Sequence, residues 1–102
     1  MATLTGASRV AMGLEIPSFF CNDHDLAMNL INSSKITGDP VWQLPLWYNY
    51  ANQLKSNHAD FRNIGNSMFG GAITAALFLE KFVQKDIPWI HVDLMAWTKN
   101  NY

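Results

Sequence analysis

Charge is the scarcest thing in this sequence. Lys and Arg number 7 and Asp and Glu 8 among 102 residues, 15 % in all, where a free-standing domain carries about 25 %. Some apolar surface is therefore expected to meet a partner. The net charge is −1, and the basic residues are scattered rather than clustered. That excludes nucleic acid and anionic membrane as expected partners, since both need a basic patch to pay for approach to a polyanion. Cysteine is nearly absent: Cys21 stands alone, which rules out an internal disulfide and fits a reducing compartment. No apolar run approaches the roughly 20 residues of a membrane-spanning helix, and no basic start precedes an apolar stretch of signal length. The expectation is a cytoplasmic protein.

What is abundant is apolar and aromatic side chain. Hydrophobic residues make up 49 % of the chain, with four Trp, six Phe and three Tyr. A chain of this length forms one domain, 1–102, and buries roughly 60–65 % of its unfolded surface, enough for a thin core.

The pattern alternates short strands with helices. "MATL" reads as strand, and Gly6 permits a sharp turn into "ASRVAMG", a helical turn or two ended by Gly13. "IPSFFCN" is an apolar, aromatic run bounded by Pro17 and Asn22, hence a strand. A longer helix follows, with Asn22 or Asp23 as N-cap and Asp25 in the first turn. Leu26 with Leu30, and Ala27 with Ile31, form its apolar face, and Gly38 ends it. "DPVWQLPLW" is extended between Pro40 and Pro45, with Pro45 also placed to open a helix through Leu54. "SNHADFRNIGNSMFGG" has no period and reads as a long loop of the kind that carries function or packs against something. "GGAITAALFLEKFVQK" is a strong helix with Ile73, Leu77 and Phe82 on or near one stripe, and Gly71 and Ala72 point to close approach by a neighbour. In "PWIHVDLMAW", taken as a strand over 89–97, Ile90, Val92 and Leu94 alternate with His91 and Asp93. The fold class is α/β: a partial, mainly parallel sheet with helices packed on it.

Candidate chemistry is thin. Two His-x-Asp pairs, His58 with Asp60 and His91 with Asp93, have the spacing to aim at one ion, because residues i and i+2 of a strand share a face. The commoner arrangement is a strand histidine bonded to a carbonyl and an aspartate capping a turn. Cys21 lies near His24, but a lone cysteine beside Phe19 and Phe20 is more often a small buried apolar group. Ser8 and Ser18 lack the strained, glycine-flanked turn of a hydrolase nucleophile. "FGGA" at a helix start has no lysine to make it an anion site, and close packing explains its glycines better. From the residues alone, no catalytic centre assembles.

Five ordered segments together resemble the leucyl aminopeptidase (cytosol aminopeptidase) family of dinuclear metallopeptidases: "ATLTGASRVAMG", "DPVWQLPLWYNY", "LKSNHADFRNIGN", "GGAITAALFLEKFV" and "PWIHVDLMAW". They cover essentially the whole chain, and "DPVWQLPLW" and "HVDLMAWT" are most similar to a bacterial branch.

The resemblance implies that 1–102 is a fragment of the C-terminal catalytic domain, part of a larger α/β/α architecture. In that family the metal ligands, the catalytic lysine and the arginine of the Asn-Thr-Asp-Ala-Glu-Gly-Arg motif precede the "ATLTG" strand. The branch continues beyond "AWT" into a Pro-Gly-Arg-Pro stretch and a closing helix. Both ends of the chain are thus expected to be cut from a larger sheet. The implied activity is metal-assisted release of N-terminal, leucine-type residues from peptides, with two divalent ions, Zn or Mn, in the full-length enzyme and none expected on this fragment alone. The fragment alone is therefore not expected to be a competent enzyme, and it contributes no catalytic or metal-binding residue.

What carries over is pocket wall. Thr3, Leu4 and Gly6 match the family loop beside the metals, where the leucine carbonyl takes the substrate amine and the threonine and glycine line the first side-chain pocket. Ile64 matches a wall of the next subsite. Met95 and Thr98 match the floor of the first pocket, at positions where family members often have Ala and Met. His91 and Asp93 match the motif without being metal ligands in the family. The family's partners are peptide substrate and further copies of itself in a hexamer. The alternative expectation is a non-catalytic interaction or assembly module derived from the same family.

Overall fold

The computed structural model describes residues 2–3, 6–52 and 69–95. Four strands form one sheet: β1 (Ala2–Thr3), β2 (Ser18–Cys21), β3 (Trp42–Gln43) and β4 (Ile90–Asp93), in the spatial order β1-β4-β2-β3. β1 runs parallel to β4, and β3 runs parallel to β2. The longest pairing, β2 with β4, is antiparallel and runs in register from Ser18 opposite Asp93 to Cys21 opposite Ile90. Two of the three pairings are thus parallel, as the alternation predicts. The antiparallel step follows from the connection after β1. Its helix α1 (Arg9–Met12) is a single turn, too short to carry the chain back along the sheet as a parallel crossover requires.

Helix α2 (His24–Thr37) starts where Asp23 accepts the Leu26 N–H at 2.8 Å and ends on Gly38 in the left-handed conformation. These are the cap and stop that the sequence carries. Helix α3 (Gly71–Glu80) lays Ala72 and Ala76 against Phe20 and Trp89, with Leu44, Leu46, Ile73, Leu79 and Val83 packed around them. Small side chains here let the helix approach the sheet closely. The close approach belongs to Ala72, not Gly71, whose missing Cβ faces open space. Phe82 lies beyond the helix and is 71 % exposed, stacked edge-on against Phe78. It leaves the stripe because α3 has already stopped.

Two further expectations are corrected. The chain stays extended through Trp47, and a 3-10 turn (Tyr48–Tyr50) begins only there rather than at Pro45. Leu44 and Leu46 must alternate onto the core, and only an extended backbone gives that period. β4 is shorter than 89–97, ending at Asp93; the last two residues of that range lie outside the described residues. Its parity is also the reverse of the usual one. His91 and Asp93 are the buried pair, while Ile90 and Val92 are half-buried. Trp89, of the same parity, packs with Phe20 against α3, and Asp93 is covered by the turn at Ala7 and Ser8.

Candidate functional site

The site grows out of the turn that follows β1. Gly6 adopts φ +69°, a conformation that favours glycine. A Cβ on it would sit 3.0 Å from the Met95 Cβ and 3.1 Å from the Met95 nitrogen, so no other side chain fits without displacing backbone. The turn past Gly6 is held from β4. Asp93 accepts the Ala7 N–H at 3.1 Å on one carboxylate oxygen and the Ser8 N–H at 3.0 Å on the other. The carboxylate is almost fully buried, and charge-assisted bonds of this kind offset the cost of burying it. A second tie runs to β2, where the Ser8 and Ser18 hydroxyls meet at 2.7 Å. Arg9 closes the turn, its backbone N–H and its guanidinium both reaching the Gly6 carbonyl.

Gly6 and Met95 border a cleft of about 210 Å³ that Leu14, Ile16, Pro17 and Leu94 continue. Ser8, Arg9 and Asp93 line it too, so it is a recess of side-chain size and mixed polarity, floored by the end of β4 and walled by the α1 turn.

The residues expected at the pocket divide plainly. Gly6 and Met95 are brought into contact. Thr3 pairs with Asp93 in the β1–β4 register, which places its backbone at the same end of the sheet. Leu4, Ile64 and Thr98 lie outside the described residues, as do His58 and Asp60. His91 stacks between Phe20 and Trp89, with ring centroids 5.7 and 6.2 Å away. Cys21 donates to the Asp23 carbonyl at 3.1 Å, a local turn contact. At "FGGA" the space beside Gly70 is filled by the Tyr50 ring, 3.1 Å from where a Cβ would lie, so packing accounts for that glycine.

Among the described residues no three His, Cys, Asp or Glu side chains converge, and both oxygens of Asp93 already accept backbone N–H groups. The described residues do not fit a dinuclear metal centre.

The sequence reading expected Asp93 to cap a turn, but the turn it holds is the one after β1 rather than the following one, and the Ser8–Ser18 contact was missed.

The model of the cytosol aminopeptidase family, catalytic domain, matches residues 1–102. The probable cytosol aminopeptidase of Persephonella marina is 49 % identical over 100 residues, covering 98 % of this chain and 20 % of that protein. The crystal structure of cytosol aminopeptidase from Coxiella burnetii superposes with a TM-score of 0.82 at 44 % identity, covering 99 % of this chain and 22 % of that one. The bottromycin maturation enzyme BotP in complex with Mn gives 0.78 at 34 % identity, covering 89 % and 20 %. The chain spans about a fifth of the length of the curated relatives it matches.

Proposed function

The chain belongs to the cytosol aminopeptidase family, and we propose that it supplies one wall of the pocket that receives the first side chain of a peptide substrate. The contact of Gly6 with Met95 beside a recess of side-chain size carries this reading. The resemblance assigns both positions to that pocket, and the two residues meet from opposite ends of the chain. In the whole enzyme the reaction is hydrolysis of the N-terminal peptide bond of leucine-type substrates. Thr3, Gly6, Met95 and Thr98 pack around the departing residue, the Leu4 carbonyl takes its amine, and Ile64 bounds the next subsite.

The metal ions of that reaction, Zn or Mn, would rest on ligands in the remainder of the enzyme. The manganese of BotP supports a metal-dependent enzyme. The general base lies there too, so residues 1–102 alone are not competent. The whole enzyme works as a hexamer on peptides in the cytoplasm; its relatives' names, cytosol aminopeptidase, support the compartment and the peptide substrate. No helix among the described residues is long and apolar enough to cross a membrane.

A two-armed experiment tests this. Residues 1–102 replace the matching segment of the Coxiella burnetii enzyme, and leucine-anilide hydrolysis is followed with Mn or Zn added. The segment-exchanged enzyme is expected to turn over, and the isolated 102 residues are not. Metal-dependent turnover by the isolated chain at an enzymatic rate would overturn the division of labour.

A second reading, a non-catalytic assembly module, draws on exposed aromatic surface at Trp42, Trp47 and Phe69. Stable capture of an intact homologue by the isolated chain, together with an inactive segment exchange, would favour it.

A further inference from the structure

We propose that Asp93 is a positioning residue for the first side-chain pocket: by taking the N–H groups of both Ala7 and Ser8, its carboxylate sets the turn that holds Gly6 against Met95. The inference rests on the pocket-wall reading above and deepens it.

Three observations carry it. First, the carboxylate is only 2 % exposed and spends one oxygen on each of two successive backbone N–H groups, across 86 and 85 residues of sequence. A buried carboxylate bonded in this way and the turn it binds hold each other in place, because releasing the turn strips a buried charge of two charge-assisted hydrogen bonds. Second, the wall has no slack. A Cβ on Gly6 would fall 3.0 Å from the Met95 Cβ, so the Gly6 backbone rides directly on the residue that floors the recess. Third, clamp and floor lie on one short piece of chain. Asp93 ends β4, and Met95 stands two residues on, of the same strand parity. Movement of the turn relative to Asp93 is therefore movement of one pocket wall relative to the other. The Ser8–Ser18 hydroxyl contact anchors the turn to β2, but it stands one residue further from Gly6 than the Ala7 bond.

A carboxylate that served folding alone would sit in the same place, so the test must separate the two roles. The ratio of kcat/KM for leucine-anilide over alanine-anilide does so. Loss of folded enzyme lowers both values equally and cancels in the ratio, whereas a displaced wall changes how much the larger side chain gains. The measurement uses the enzyme with residues 1–102 exchanged into the Coxiella burnetii protein, with Mn added. Asp93→Asn keeps the shape but replaces one acceptor by a donor facing an N–H. It is expected to lower the leucine-to-alanine ratio roughly tenfold, the scale of a mis-shaped apolar pocket. Ser8→Pro attacks the same clamp from the other side. Its φ of −82° suits a prolyl ring, and the ring deletes the N–H that reaches Asp93. Because the hydroxyl that meets Ser18 goes with it, the ratio is read against that of Ser8→Ala, which loses the hydroxyl alone. The ratio is expected to fall in the same direction, so the proposal stays testable if the first variant yields no soluble enzyme. An unchanged ratio with lowered activity in either variant would overturn the positioning role and leave the pocket-wall reading intact. A folded, metal-loaded, inactive parent exchange would overturn the pocket-wall reading itself, and this inference with it.

Discussion

The side-chain amide of Asn22 spans the approach to β4, accepting the Trp89 N–H at 2.8 Å and donating to the Ile87 carbonyl at 2.9 Å. It takes over the ladder where β2 ends and supplies both halves of a backbone-like pair. Asn22→Ala removes both bonds. Two net contributions of about 1 kcal/mol each predict roughly thirtyfold faster amide exchange at Trp89 in the segment-exchanged enzyme. Asn22→Asp keeps the acceptor but sets a carboxylate against the Ile87 carbonyl, so it should not restore protection.

Gly6 and Gly38 make a matched pair for separating backbone strain from close contact. Both have positive φ, +69° and +73°, but a Cβ on Gly38 meets nothing within 4 Å. Gly38→Ala should cost only the left-handed penalty, about 1 kcal/mol. Gly6→Ala adds displacement of the Met95 backbone and should cost about 1–3 kcal/mol more. Urea midpoints of the two variants check this, and equal losses would mean that Met95 yields freely.

Much of the fold was legible because local chemistry and tertiary demand agree. Asp23 and Gly38 bound α2 with side-chain and backbone devices that act within a few residues. The alternation of 89–95 gives β4, since period 2 survives any context. Which face is buried was not legible: Asp93 faces inward only because Ala7 and Ser8 arrive from the other end of the chain, and no local pattern records that. The late helix start after Pro45 has the same origin, because the core claims Leu44 and Leu46 before the helix can begin. Within the site, the resemblance assigned Gly6 and Met95 to one pocket without foreseeing their direct contact, and the Ser8–Ser18 contact had no signal beyond two small polar residues.

Tyr48 donates to Glu80 at 3.3 Å. Burial, then the Glu80 charge, then this hydrogen bond raise its phenol above the ordinary 10.0. A raised folded-state value means that the bond's contribution is fully present below pH 10.0 and is lost as pH climbs through the higher folded value. The difference in phenolate absorbance between the wild type and Tyr48→Phe should therefore titrate above the free-tyrosine range. Glu80→Gln should bring it part of the way back, since burial, the largest cause, remains. Tyr48 is 58 % exposed, so stability itself should respond only weakly. A titration at or below the ordinary value would remove the Tyr48–Glu80 link.

Neighbouring alanines of α3 offer a test of how tightly that helix lies on the sheet. Ala76 is fully buried against Phe20 and Trp89, whereas Ala75 is only half-buried. Leucine at either position has nearly alanine's helix propensity, so the propensity term cancels between the two variants and packing is left. Ala76→Leu must push α3 off β2 and β4 or force strained rotamers, at a cost of about 1–3 kcal/mol. Ala75→Leu should fall within about 0.5 kcal/mol of the parent. The same movement would draw Trp89 from its buried position, so its fluorescence should shift to the red in the first variant alone. Matching stabilities and spectra for the two variants would mean that α3 is loosely seated and that the small residues at 72 and 76 are not what sets its distance from the sheet.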